Sequence, residues 1–146
     1  MTFEVQYKES IAGYSAGFIP NSEPNVLISR TVEDATPIAF GKAVAQGTGD
    51  NGITLLTTGA TDYVGITCTE HSTDANTPDV FAQYDNARVM TKGVICVEVS
   101  ETVSAGDAVH VVLSTSAFSN NGGQTIPNAR YDSSGVSGDI VKVRLG

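Results

Sequence analysis

The chain has 146 residues, a length typical of one domain rather than of a multidomain enzyme. Its 17 valines, 9 isoleucines and 16 threonines against 5 leucines favour β-sheet, and no apolar run is longer than Val94–Val97, far too short for a transmembrane helix. The formal charge of −8 argues against binding to nucleic acid or to an anionic membrane, because both need clustered Lys and Arg.

The N-terminal segment begins with one short strand and then loses its regular pattern. Apolar and polar residues alternate over residues 2–8, which predicts a half-buried strand. Glycine and proline then break regular structure, while several large apolar side chains remain. We expect residues 1–37 to form this strand and an extended arm, although a loop packed on its own domain fits the pattern equally well. The large apolar residues in question are Phe3, Val5, Tyr7, Tyr14, Phe18 and Ile19.

From residue 26 onward, short β-branched segments alternate with turns rich in glycine. The pattern predicts nine strands, and nine short strands imply a barrel or a sandwich. No long helix is predicted, and nothing in residues 38–146 indicates a second domain boundary. The predicted strands are 26–33, 38–46, 53–58, 62–69, 80–84, 87–92, 94–100, 108–113 and 138–145.

Two polar stretches interrupt the strands. Residues 70–79 contain no large apolar side chain and are predicted to be a solvated surface loop. Residues 114–137 look similar but are long for a β connection. We expect them either to fold back as a small hairpin around Asn121–Gly122 or to serve as a contact surface.

Cys68 and Cys96 lie on apolar, strand-like segments. Free cysteine is among the most buried residue types, so both are predicted to be buried, reduced thiols. The first eight residues lack the basic and apolar regions of a secretory signal. We therefore expect the protein to be made in the cytoplasm and to act without secretion.

The motifs that could carry chemistry are weak. Residues 47–52 read Gly-Thr-Gly-Asp-Asn-Gly, a literal GxGxxG, but a β-branched segment follows where a dinucleotide site needs a helix, so we predict a strand-to-strand turn. The loop 70–79 holds His71 and three carboxylates without a metal-ligand spacing. Neither His71 nor His110 accompanies a recognisable nucleophile motif. We therefore predict no enzymatic activity, no cofactor and no bound metal ion.

One segment resembles part of another family. Residues 97–111 resemble the strand, Gly-Asp turn and strand of biotinyl and lipoyl carrier domains, which present a modified lysine at a hairpin tip. The nearest lysine, Lys92, matches that tip only loosely. We prefer to interpret Gly106 as the positive-φ residue, and Asp107 as the cap, of a turn that reverses two strands.

Six short motifs follow one another along the body of the chain. They are Gly41–Val44, Gly47–Gly52, Val64–Thr67, Lys92–Val97, Val103–Val109 and Gly138–Val143. Their order over residues 38–146 resembles tailed-bacteriophage head decoration, or cement, proteins. The resemblance implies a small β-barrel or β-tulip body that forms a homotrimer and clamps neighbouring major capsid protein subunits at three-fold positions on the capsid exterior. The chain departs from the family in its polar loop 70–79 and its lack of tryptophan.

A cement role also fits the residues themselves. Such a protein needs no active site, and the strand at 2–8 is suited to joining a neighbour's sheet. We predict that six apolar side chains dock across a subunit boundary: Phe3, Val5, Tyr7, Tyr14, Phe18 and Ile19. The alternative is a receptor- or carbohydrate-binding module of a virion spike or tail, with the loops 70–79 and 114–137 as tips. For stacking on sugars these loops offer only Phe118 and Tyr131.

Overall fold

Eleven strands and no helix make up residues 15–70 and 79–146, the parts of the chain that this computed structural model describes. No helix capable of crossing a membrane occurs in these two ranges. The predicted strand at 2–8 and most of the predicted loop at 70–79 lie outside them. The strands are β1 (Val26–Val32), β2 (Ile38–Ala39), β3 (Ala43–Gln46), β4 (Gly52–Leu55), β5 (Tyr63–Thr67), β6 (Val80–Phe81), β7 (Asn86–Glu98), β8 (Ala108–Val112), β9 (Ala117–Ser119), β10 (Gln124–Tyr131) and β11 (Ile140–Leu145).

Five of these strands close into a barrel. β1 pairs in parallel with β4 on one side and antiparallel with β7 on the other. β3 lies between β4 and β5, and β5 pairs with β7, which completes the ring β1-β4-β3-β5-β7. The predicted small all-β barrel body is confirmed.

A second sheet grows from the far half of β7. This half pairs with β11, and the order continues through β10 and β8 to β9. A parallel bridge between Val99 and Phe118 brings β9 back to the end of β7. The separate strands predicted at 87–92 and 94–100 are therefore wrong: β7 runs unbroken through Gly93, whose φ of +128° lets the backbone change direction without ending the strand.

The described residues form two apolar cores. The barrel core lies around Val32, Val44 and Val89, and the pair β2–β6 adds Phe81, whose ring centroid is 5.0 Å from that of Phe40. The larger core joins the second sheet to side chains of β3, β5 and β7. Its fully buried members include Ile66, Met90, Ile95, Val97, Val109, Val111, Phe118, Ile126, Tyr131, Val141 and Val143.

Residues 114–137 are not a loop, contrary to prediction. They form β9 and β10, which flank β8 on opposite sides, so the chain makes no hairpin around Asn121–Gly122. The period-2 pattern of β10 is obscured because its pairing with β8 shifts register around Pro127 and Asn128. Asn128 has a φ of +57°, typical of a bulged strand.

The predicted strand 38–46 is likewise interrupted. It divides into β2 and β3 at Gly41, which has a φ of +74°. A side chain at Gly41 would collide with Ala16 and Gly17, since its Cβ would lie 2.7 Å from atoms of both residues. Close approach of the N-terminal segment therefore requires glycine here.

Candidate interaction surface

The described end of the N-terminal segment lies against β7 of its own chain. Gly17 N–H donates to Cys96 O at 2.7 Å, and Cys96 N–H donates to Phe18 O at 3.0 Å. On its other side, Gly17 O accepts a hydrogen bond from Thr69 N–H at 2.9 Å. These bonds place residues 17 and 18 on the edge of β7 that β11 leaves open.

Two of the six predicted contact residues are described, and they lie next to each other in this segment. Ile19 packs against the larger core of its own chain, whereas Phe18 is 40% exposed. Phe18 is therefore the one of this pair that presents substantial apolar surface to a neighbour. Phe3, Val5, Tyr7 and Tyr14 lie outside the described residues.

A salt bridge fixes the next part of the segment before β1 begins. Arg144 of β11 donates to Glu23 at 2.7 Å and to Asp132 at 3.0 Å, and these two carboxylates raise the pKa of Arg144. β1 then enters the barrel. Residues 15–32, part of the predicted arm segment 1–37, are thus bonded to the body by both main-chain and side-chain contacts.

The glycine-rich loop at 47–52 joins β3 to β4, as predicted, and it encloses a carboxylate of its own chain. Glu33, just after β1, accepts hydrogen bonds from the Thr48 amide and hydroxyl and from the Gly49 amide, at 2.7–3.0 Å. A Cβ at Gly52 would lie 1.4 Å from a Glu33 carboxylate oxygen. The glycines thus make room for an anion, and the anion is Glu33.

These hydrogen bonds lower the pKa of Glu33, with the Thr48 hydroxyl as the main cause. Because the pKa is lower in the folded state, the ionised Glu33 stabilises the loop at neutral pH. This stabilisation is lost as the pH falls through the folded-state pKa. We expect Glu33→Ala to speed hydrogen exchange of the Thr48 and Gly49 amides at neutral pH, with a smaller loss of stability than a core truncation causes. Asp50→Asn removes a charge from the same loop and should leave this exchange unchanged; equal exchange in both variants would contradict the assignment.

Four large apolar side chains are exposed among the described residues. They are Phe18 (40%), Val26 (48%), Tyr84 (76%) and Val136 (56%). Only Phe18 was anticipated from the sequence. Tyr84 and Val136 both lie in turns that end in aspartate. The aspartates are visible in the sequence, but the geometry of the turns is known only from the structure.

The sequence matches the structural cement protein family (E217 gp24/Pam3 gp6) over residues 3–146. The chain belongs to this family. The resemblance to phage cement proteins is thereby confirmed, and the protein is a structural component of a phage particle. A comparison with curated proteins gives no match.

Two solved structures share the fold of this cement protein. One is a chain of the capsid of Myoviridae phage XM1, with a TM-score of 0.75 and 18% identity over 100% of this chain and 98% of that one. The other is the head fiber gp8.5 N base of bacteriophage phi29, with a TM-score of 0.50 and 13% identity over 83% of this chain and 95% of that one. At these identities the likeness concerns architecture.

The structure of the cement protein argues against the carrier-domain and sugar-binding interpretations of the sequence. Lys92 lies within β7, paired with Val26, and not at a hairpin tip, so the carrier-domain interpretation is wrong. Phe118 and Tyr131 are buried in the larger core and cannot stack on a sugar. His110 Nδ1 lies 2.9 Å from Gly122 O, and this hydrogen bond ties β8 to the turn before β10.

No group of three or more His, Cys, Asp or Glu side chains is placed to hold a metal ion within residues 15–70 and 79–146.

The predicted turn at Gly106 and Asp107 is confirmed. Gly106 has a φ of +95°, and the Asp107 carboxylate accepts a hydrogen bond from Ser104 N–H at 2.9 Å.

Both cysteines are buried and free, as predicted. Burial raises the pKa of Cys68 to about 11 against the opposing effect of Arg88, and it raises that of Cys96 to about 11 against Lys142. Thiols with such pKa values are protonated and unreactive at neutral pH.

These raised pKa values make stability depend on alkaline pH. Unfolded thiols have a pKa of about 8.5, whereas the folded ones keep their protons above that pH, so the free energy of unfolding should fall as the pH rises above this value. We expect a lower urea midpoint at pH ~9.5 than at pH ~7.5. The double variant Cys68→Ala/Cys96→Ala should be less stable overall but show a smaller difference between the two pH values; an unchanged difference would assign the effect to other groups.

Proposed function

We propose that this chain binds the outer surface of a phage head and stabilises contacts between neighbouring major capsid protein subunits. It acts as a homotrimer, is made in the host cytoplasm and has no enzymatic activity. The observation that carries the proposal is the match to the structural cement protein family over residues 3–146. A cement protein works by adhesion, so its function depends on which surfaces it presents.

The body is suited to act as a rigid clamp. Its barrel closes on itself, and β9 is bridged back to β7, so few strand edges remain open among the described residues. Pro127 and the bulge at Asn128 shift the register between β10 and β8 inside the second sheet. Such a body resists uncontrolled self-association and leaves adhesion to specific contacts.

The N-terminal segment is proposed to supply one of these contacts. Phe18 is exposed on a backbone that is hydrogen-bonded to β7, so its position is fixed relative to the body. Phe3, Val5, Tyr7 and Tyr14 precede it in the chain and extend the same apolar character. Many symmetric copies add their contacts around one particle, so a modest affinity per site is sufficient.

A truncated variant tests this contact. Residues 15–146 keep every described hydrogen bond of the N-terminal segment but lose four of its six large apolar side chains. Heads assembled without the cement protein are mixed with the full chain or with 15–146, and occupancy is measured after sedimentation. We expect the full chain to bind and to raise the temperature at which heads break open, and 15–146 to bind at least about tenfold more weakly.

The possible outcomes separate two statements. Failure of the full chain to bind heads refutes the capsid role. Equal occupancy by the full chain and by 15–146, with equal circular dichroism spectra, refutes only the contact through Phe3, Val5, Tyr7 and Tyr14. Sedimentation equilibrium of the free chain tests the homotrimer, for which a mass of three times 15.2 kDa is expected.

A further inference from the structure

Three turns of the protein share one hydrogen-bond pattern. In each turn, the fourth residue is an aspartate that forms two hydrogen bonds with the first residue. The aspartate N–H donates to the carbonyl oxygen of the first residue, and the N–H of the first residue donates to the aspartate carboxylate. The third N–H donates to the carbonyl of a residue that lies in a strand or directly after one, and the N–H of that residue donates back to the aspartate carbonyl. All twelve distances lie between 2.7 and 3.1 Å. The turns are 82–85, 104–107 and 136–139, bonded to Val32, Tyr131 and Val99 respectively.

The third position of this turn requires a positive φ. Gly106 and Gly138 occupy it in two of the turns, with φ of +95° and +90°. In the remaining turn the residue is Tyr84, with a φ of +70°. Glycine adopts this conformation without steric cost, whereas a bulky residue does not. Tyr84 therefore stands where the fold itself favours glycine.

The protein gains little packing from this tyrosine. Its side chain is 76% exposed, the highest value among the exposed large apolar residues of the described parts. Tyr131, in contrast, is fully buried in the larger core. A strained residue whose side chain is mostly exposed to solvent contributes little to packing, which favours a role in recognition.

The surroundings of Tyr84 are acidic. Its turn is bonded to Val32, next to Glu33, and Glu33 in turn binds the loop 47–51. These three neighbouring loops define an acidic barrel end, residues 33–34, 47–51 and 82–85, which has no lysine or arginine. It carries Glu33, Asp34, Asp50 and Asp85.

Three of the four carboxylates of the acidic barrel end are held in place. Glu33 is bonded to Thr48 and Gly49, Asp34 accepts from Leu55 N–H at 2.9 Å, and Asp85 accepts from Ala82 N–H at 3.0 Å. Most of the negative charge of this barrel end is therefore fixed in position. An exposed aromatic ring on a barrel end that carries fixed carboxylates is complementary to an arginine or lysine side chain.

We propose that Tyr84 is a contact residue of the cement protein and that its ring packs against a cationic side chain, arginine or lysine, on the capsid shell protein. This inference rests on the proposed capsid function and names a residue and a partner chemistry for it. A second copy of the chain is disfavoured as the partner, because two acidic barrel ends would repel each other.

The test compares Tyr84→Gly with Tyr84→Phe. Tyr84→Gly installs the residue that the two related turns already use, so its melting temperature should equal or exceed that of the unchanged protein. Its Kd for heads lacking cement protein should rise by about tenfold or more, and Tyr84→Phe, which keeps the ring, should bind within about threefold of the unchanged protein. Val136→Ser, at an exposed apolar residue of a related turn, is the control and should leave Kd unchanged. The difference in Kd between Tyr84→Gly and the unchanged protein should shrink with added salt.

Four results overturn the proposal. If Tyr84→Gly binds heads as tightly as the unchanged protein, Tyr84 is not a contact residue. If Tyr84→Gly has a lower melting temperature than the unchanged protein, the ring has a role in folding. If Tyr84→Gly changes the sedimentation of the free chain, the partner is a second copy of the chain. If Tyr84→Gly loses binding to a glycan array but binds heads unchanged, the partner is a sugar. The proposed capsid function fails separately, when the unchanged protein does not bind heads.

Discussion

Gly93→Ala is expected to lower the free energy of unfolding by about 3 kcal/mol, which corresponds to about 10 °C in melting temperature. The backbone at Gly93 has a φ of +128°, a region that L-residues rarely adopt. An added Cβ would also lie 2.6 Å from Asn25 Cβ and 3.2 Å from Met90 Sδ. Urea unfolding followed by circular dichroism measures the change.

The matched control is Gly59→Ala. Gly59 has no positive φ, and no atom lies within 4 Å of an added Cβ, so its replacement should change stability by less than about 0.5 kcal/mol. Equal stabilities of the two variants would mean that β7 does not depend on glycine to pass from the barrel into the second sheet.

Gly93 also illustrates what a local pattern can and cannot predict. The sequence predicts one strand on each side of this glycine, and both segments belong to the single strand β7. It does not distinguish a glycine that ends a strand from one that bends it, because the difference depends on partners distant in sequence. Here the partners are β1 before the bend and β11 after it. Where alternation is regular, as in β8 and β11, the prediction succeeded.

Residues 114–137 were misjudged for a related reason. The polar residues around Asn121 suggest a solvated loop, and Pro127 breaks the alternation of β10. Phe118 and Tyr131 are nevertheless anchors of the larger core, and only their partners across the sheet reveal it. A polar composition thus conceals a strand when few of its side chains face the core.

The candidate surface was predictable only in part. The resemblance to the cement protein family rests on motifs spread along the body, and Phe18 is recognisable as an apolar residue in an irregular segment. Tyr84 carries no such signal, because the sequence Ala-Gln-Tyr-Asp matches Ser-Ala-Gly-Asp and Val-Ser-Gly-Asp only once the shared turn is known. Glu33 is 15 residues away from Thr48 of the loop it stabilises, a separation that local pattern analysis does not bridge.

Tyr131→Ala is expected to destabilise the protein by about 4 kcal/mol, the largest effect among the substitutions proposed for this chain. The ring is fully buried, and its hydroxyl donates a hydrogen bond of 2.6 Å to Ser119 O. Tyr131 also exchanges main-chain bonds with Gly106 and Asp107, so the start of β8 is positioned by the same residue. Removing the side chain should therefore loosen β8 as well as leave a cavity.

Tyr131→Phe separates the two contributions of this side chain. It keeps the ring but leaves Ser119 O without its buried donor, which should cost about 1–2 kcal/mol. Equilibrium unfolding of both variants gives the difference, and hydrogen exchange at Val109 and Val111 reports on β8. The cavity accounts for most of the loss if Tyr131→Phe retains slow exchange in β8 while Tyr131→Ala does not. If the two variants are equally destabilised, the hydroxyl bond to β9 and not the ring is what holds this corner of the second sheet together.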